Sequence, residues 1–390
     1  VWMKSRDGGR SHCLYDTERG NGDFLSSNTT AQSYTNTSTP WRPTSTGFFT
    51  GKDYGGSENQ NNEGIVSWSF RKAEKFFDIV TWTGDGSTKT HSHNLGSTPA
   101  VIIVKRTDST SDWSTYHKDA TDGVRSGANL MLYLNSTSPA TYLGIEPLWA
   151  ATDSTFTTVG GGNFNASGGT YVAYLFASDA GGFGDDGSES IIKCGSWDAT
   201  GNDEVNLGFE PQWILIKNAD GTNNWGMFDS MRGWTADGNI QTLPPNLSSS
   251  ESSENGVMKV TSTGFTWVPA VSGNTYIYIA IRRPMKTPES GTEVFSPVAY
   301  SGNGSGQRTI DLDLTLDMLV TKGRNATIEN IMYNRLSGTS KKLITSSSAN
   351  EASSSTNVLK SLDQEGITIG SDVDINGGSY TYMAWAFKRA

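Results

Sequence analysis

The sequence has little of what most catalytic, nucleic-acid-binding or membrane-embedded proteins rely on. Two cysteines, Cys13 and Cys194, stand in 390 residues, too few for a disulfide framework. They occupy unmatched places, so two reduced thiols in a protein made in a cytoplasm are expected. Charged residues are 18% of the chain, below the roughly 25% of an ordinary globular protein. The net charge is −10 and Lys and Arg form no run. That excludes the basic footprint of a nucleic-acid binder. No apolar stretch approaches the ~18–20 residues of a membrane span. No membrane insertion is expected, and no signal peptide is visible. No long stretch keeps a helical period. The chain opens on Val1 inside a repeat, and so reads as a piece of a longer polypeptide.

Gly, Ser, Thr and Asn fill the gap left by charge, a mixture that favours turns and strands. Twelve Trp and fourteen Tyr argue against disorder. One short strand appears four times: Val1-Trp2-Met3-Lys4, Val101-Ile102-Ile103-Val104-Lys105, Gln212-Trp213-Ile214-Leu215-Ile216-Lys217 and Met318-Leu319-Val320-Thr321-Lys322. Its apolar run lacks alternation, so both faces are expected to be covered. The four lysines stand 101, 112 and 105 residues apart. A period near one hundred predicts tandem domains rather than a solenoid, whose units run roughly 20–50 residues.

Four all-β modules follow: residues 1–76 (first strand missing), 77–187, 188–290 and 291–390. The predicted fold is a tandem array of antiparallel β-sandwich modules with almost no helix. Each module closes on a strand with one bulky face: Val66, Trp68, Phe70; Val172, Tyr174, Phe176; Ile277, Ile279, Ile281; Met383, Trp385, Phe387. Small residues line the other face, which suits close approach of a neighbouring surface. The basic residues beyond these strands (Arg71, Lys72, Arg282, Arg283, Lys388, Arg389) are expected in solvent. Trp113 and Trp225 match in position and read as core, with Leu14 as their counterpart in the first module.

Residues able to carry chemistry are sparse. His91 and His93 share one side of a strand, but no Cys or paired carboxylate stands at ligand spacing with them. They read as turn or surface residues, and no metal site is predicted. Aspartates in glycine turns, such as Asp85, Asp186 and Asp372, lack the ligand order of a calcium loop and read as turn caps. Gly160-Gly161-Gly162 is followed by neither a helix nor Gly-Lys-Ser/Thr, so it is no phosphate cradle. No acidic residue is expected in the middle of an apolar strand, where a catalytic carboxylate with a shifted pKa would be sought. No catalytic residue and no cofactor are predicted. Trp41, Trp149 and Trp234 lie in loops without counterparts and are the candidates for surface or receptor contact.

The order of motifs resembles a known module. Tyr/Trp-Thr/Ser-Gly-x-Gly comes first, then an apolar strand ending in Lys. Trp-x-x-Tyr/Phe, Arg-Gly, Gly-Phe and a final Tyr-x-Ala-Tyr/Trp-x-Phe follow. Thr81 to Phe176 and Ser196 to Ile281 carry it most fully. The chain is similar to modules found in tandem in structural and tail-fibre proteins of tailed phages, especially marine and cyanobacterial ones. The last module departs most, lacking the Trp of its second strand.

That resemblance implies a virion component rather than an enzyme. The expected role is a tail fibre or surface appendage that mediates host attachment, on the outside of the particle. Its expected partners are other virion proteins and a host surface glycan or protein. The alternative is a glycan-binding module or a depolymerase of a phage or bacterial surface protein. A homo-oligomer, most simply a trimer, is expected from the signature strands that are apolar on both faces and from the small-residue faces of the closing strands.

Overall fold

The computed structural model of the chain describes residues 1–37, 40–51, 59–145, 148–201, 203–234, 238–268, 272–283, 288–355 and 357–389. The fold is all-β, as the composition predicted: antiparallel sheets, with a single four-residue α-helix, Val373–Asn376, among the described residues. None of their helices is long and apolar enough to cross a membrane. The chain divides into two compact units. One comprises Val1–Phe228, Thr242–Ser253 and Trp267–Arg282; the other comprises Asp229–Gln241, Glu254–Thr266 and Arg283–Ala390.

The same sheet is built four times around the signature strand. These strands are Trp2–Ser5, Val101–Arg106, Pro211–Asn218 and Met318–Gly323. On one side each pairs with its closing strand: Ile65–Trp68, Thr170–Phe176, Thr275–Arg282 or Thr381–Phe387. The register is identical throughout. Lys4, Lys105, Lys217 and Lys322 stand opposite Val66, Val172, Ile277 and Met383. On the other side lies the second strand: Cys13–Tyr15, Ser114–His117, Gly226–Asp229 or Ile331–Asn334. A three-stranded layer covers the main sheet in the module that begins at Phe77, and another does so in the last one.

The signature lysines are structural. Lys4, Lys105 and Lys217 are fully buried. Each ammonium turns back onto carbonyls at or just beyond the end of its strand, and that of Lys105 also reaches one in the first module. Lys4 Nζ donates to Ser5 O and Gly8 O at 2.7 and 3.2 Å. Lys105 Nζ donates to Ser111 O and Thr30 O at 2.9 and 3.1 Å. Lys217 Nζ donates to Asn218 O and Gly221 O at 2.6 and 2.8 Å. In the second unit Lys322 Nζ donates to Ile328 O. Carbonyls turned inward need donors, and a long side chain delivers three N–H groups while its stem packs. Burial pulls the Lys4, Lys105 and Lys217 ammonium groups down to about 8.

Within the first unit, three modules close into a ring with pseudo-threefold symmetry. The N–H of Ser33 bonds to Thr107 O, that of Ala140 to Ala219 O, and that of Glu251 to Arg6 O, at 2.8, 2.7 and 2.7 Å. The acceptors stand two residues past Lys105, Lys217 and Lys4. The donors stand five residues past Asn28, Asn135 and Asn246. These asparagines are themselves equivalent, accepting from the backbone N–H of His12, Trp113 and Trp225 at 2.9, 2.8 and 3.1 Å. The rings of the last three residues then reach across to the neighbouring module. Trp113 Nε1 donates to Ser26 O, Trp225 Nε1 to Tyr133 O, and His12 Nε2 to Pro244 O, at 3.0, 3.0 and 3.1 Å. Each acceptor stands two residues before one of the three asparagines. The counterpart of Trp113 and Trp225 is therefore His12, not Leu14. One continuous apolar core runs through the three sheets, from Trp2 and Leu14 through Ile103 and Trp113 to Leu215 and Ile279. The second unit has its own core, centred on Leu312, Leu319, Tyr333 and Ile367.

Candidate functional site

The three loop tryptophans proposed for surface contact are buried, at 2%, 2% and 3% exposure for Trp41, Trp149 and Trp234. That corrects the expectation of exposed platforms. Trp41 stacks on Tyr15 with ring centres 5.1 Å apart. Trp149 donates through Nε1 to Leu130 O at 3.1 Å and meets Phe164 edge to face. The backbone of Trp234 bridges to Ile240. Loops of this length fold back over the sheets, and a lone indole gains more from burial than from exposure.

The histidines serve the fold. His91 and His93, expected at turns or on the surface, are instead buried and both pack on Phe156. His117 donates through Nε2 to Tyr278 O at 3.1 Å and accepts from Asp119 N through Nδ1. Burial pulls His117 down to about 4, so it is neutral at pH 7. The turn aspartates cap their own loops, as the sequence indicated. Asp85 and Asp186 each accept from the N–H and hydroxyl of the serine two residues on. Part of the basic trailer is ion-paired rather than free in solvent. Arg282 meets Glu189 and Arg283 meets Asp317, each at 2.6 Å.

What remains is a cavity of about 680 Å³ between the first module and the one that begins at Phe77. Trp2, Trp41, Phe48, Phe70, Trp113 and Tyr174 line it. At its wall Asp16 takes Arg19 Nε at 2.6 Å and the Tyr174 hydroxyl at 2.7 Å. Burial works to raise the Asp16 carboxyl, yet the Arg19 guanidinium and these hydrogen bonds hold it below the ordinary carboxylate range. Burial pushes the Tyr174 phenol well up. The triad therefore stays in the form of carboxylate, guanidinium and neutral phenol. Every member is already satisfied, so the group fixes the wall of the cavity.

Beside the cavity lies the sheet of the first module. In the other three modules an opening strand pairs along the far edge of the closing strand: Phe77–Thr83, Ile192–Asp198 or Phe295–Ser301. In the first module Ile65–Trp68 is the last strand of its sheet among the described residues.

A family model described as a domain of unknown function (DUF7483) matches residues 1–284 and 290–390. No curated protein and no solved structure matches the chain.

Proposed function

We propose that this chain, which belongs to the DUF7483 family of domains of unknown function, is a structural subunit of a phage virion, a tail fibre or other exterior appendage that mediates host attachment. The observation that supports this reading is the threefold-repeated seam. Several side chains able to carry chemistry in the first unit, among them Lys105, His12 and Asp16, instead join modules. A scaffold of that kind holds exposed loops at fixed spacing, and repeated surfaces turn weak contacts into avidity. Its partners are other virion proteins and a host surface glycan or protein.

A homo-oligomer, most simply a trimer, remains part of the proposal. The apolar faces of the first three signature strands give it no support, because neighbouring modules of the same chain cover them. Light scattering on the purified chain tests it, and a stable 42.0 kDa monomer at micromolar concentration removes it. Cryo-electron microscopy of an intact particle, with this chain traced into an exterior appendage, tests the main reading. Release of oligosaccharides from host envelope polysaccharide by the purified protein overturns it in favour of a depolymerase.

A further inference from the structure

One face of the main sheet is used alike in the first three modules and differently in the fourth. Where the signature strand meets its closing strand, Trp2 pairs with Trp68, Ile103 with Tyr174 and Leu215 with Ile279. All six are buried, and all belong to the one core that the three modules share. By the common register the fourth module places Val320 opposite Trp385 there. Met318, Val320, Met332, Trp385 and Phe387 make up its face, and they belong neither to the shared core nor to the core of the second unit. Each is only half-buried, and Phe295, paired with Phe387, is 37% exposed. The opposite face, with Leu319, Tyr333 and Ala384, is the one buried in the second unit's core. A contiguous apolar face left uncovered among the described residues marks an interaction surface.

The fourth module also carries both halves of a charged seam. Between the third and first modules Glu251 donates its N–H to Arg6 O, and its carboxylate takes Arg6 Nη2 and Nε at 2.7 and 3.0 Å. Arg6 stands two residues past Lys4, and Glu251 stands eight past Leu243. Arg324 likewise stands two residues past Lys322, and Glu351 eight past Leu343. The backbone confirms both correspondences. The N–H of Arg324 bonds to Thr381 O at 2.7 Å, as that of Arg6 bonds to Gly64 O at 2.8 Å. Leu343 pairs with Met332 and Met332 with Val320, as Leu25 pairs with Leu14 and Leu14 with Trp2. The same turn follows, from Ser347 N to Ile344 O and from Leu247 N to Pro244 O, at 3.0 and 3.1 Å. Arg324 and Glu351 are both exposed. In the first module the place of Arg324 faces one neighbour, through Arg6, and the place of Glu351 faces the other, through Ser33.

We infer that this face of the fourth module is a self-association surface, on which three copies of the chain close a ring of fourth modules in the geometry of the first three. The proposal rests on the homo-oligomer reading above and says where the copies meet. Arg324 of one copy pairs with Glu351 of the next, as Arg6 pairs with Glu251. Val320 and Trp385 of each copy fill the centre, as Ile103 and Tyr174 do in the first unit. A contact between two different patches generates a ring when its rotation closes, and the seams of the first unit close at three. The occupant is a copy rather than an unrelated partner because the module is self-complementary: it presents the cation of the seam and also the anion that answers it. At the position from which His12, Trp113 and Trp225 bond across their seams, Asn330 has a side-chain oxygen buried without a partner among the described residues.

Light scattering on the purified chain reads the assembly. Three times the 42.0 kDa chain mass at micromolar concentration is expected. A monomer overturns this proposal and the oligomer reading together, and a dimer overturns the ring. Val320→Glu, checked as folded by circular dichroism, puts a charge at the centre of the ring and is expected to leave monomer. A folded Val320→Glu chain that stays trimeric overturns this placement alone and leaves the oligomer reading standing. Arg324→Glu and Glu351→Arg carry the test if Val320→Glu does not fold, because both residues are exposed. Each sets like charges across the seam and is expected to weaken the trimer ~10-fold or more. The double variant restores opposite charges and is expected to recover the trimer. Single reversals without effect, or a double variant no better than either one, overturn the assigned seam.

Discussion

Trp2 donates through Nε1 to Nδ1 of His12 at 2.9 Å, and the two rings meet edge to face with centres 5.8 Å apart. The pair takes the place held elsewhere in the ring by Ile103 with Trp113 and by Leu215 with Trp225. The indole has moved from the second strand to the signature strand, and a smaller ring fills the space it left. Packed cores tolerate such exchanges when total volume is kept.

The exchange predicts strong non-additivity. Trp2→Ile alone leaves a hole and takes the indole donor from His12 Nδ1, and His12→Trp alone overfills the seam, each costing about 1–4 kcal/mol. The double variant restores the arrangement of the other modules and recovers much of that loss. Denaturant titration of all four proteins is the check, with a coupling energy of about 0.5–3 kcal/mol expected. Purely additive effects would contradict the equivalence.

The seams make a second prediction. Trp113→Phe and Trp225→Phe each remove the indole N–H from a neighbouring carbonyl, Ser26 O or Tyr133 O. Each is expected to cost about 1–3 kcal/mol, from a buried acceptor left without its donor and a small loss of packing. Because the seams are equivalent, the two losses should agree within a factor of two. Thermal melts followed by near-ultraviolet circular dichroism measure both.

The buried lysines predict an alkaline gain in stability. Lys4, Lys105 and Lys217 fall from 10.5 to about 8 in the fold. Between those values the unfolded chain binds more protons than the folded one, so stability rises as pH increases from 8 toward 10. Above about 10 the buried phenols of Tyr174 and Tyr278, pushed up by burial, reverse the trend. The unfolded chain ionises its tyrosines there at an ordinary value of about 10. A maximum of melting temperature near the upper end of that window is expected. Lys105→Met keeps the stem but strips Thr30 O and Ser111 O of their donor, costing about 1–3 kcal/mol. It should also flatten part of the rise.

His117 predicts an acidic loss. Its folded value of about 4 lies below the ordinary 6.5. Its contribution is therefore complete above pH 6.5 and declines as pH falls from there to 4, because the unfolded imidazole takes up a proton first. His117→Gln should remove this part of the slope of melting temperature against pH between 6.5 and 4. An unchanged slope would mean that other groups carry it.

Much of the fold was legible because strand order is written locally. An apolar run ending in Lys, a Gly-Phe strand and a closing strand with one bulky face recur at nearly constant spacing, and the sheets follow them. The lysine itself was visible as a marker in all four modules, yet its role was not. A lysine after an apolar strand reads as a solvent-facing exit until the loop beyond it turns its carbonyls inward. His12 was hidden more deeply. No motif links it to Trp113 and Trp225, and only the shared asparagine bonds from Asn28, Asn135 and Asn246 reveal the equivalence. The three loop tryptophans were misjudged because an isolated aromatic in a loop carries no signal of where the loop folds.

The sequence by itself determined the β class, the order of strands and their four-fold recurrence. Period and residue type act between neighbours along one strand or one hairpin. Only the tertiary structure decided that three of the modules close on one another and leave a cavity between the first two. Those outcomes depend on backbone groups such as Ala219 O and Arg6 O meeting partners more than fifty residues away. Backbone N–H and C=O groups are the same at every residue, so no side-chain pattern announces which of them will meet.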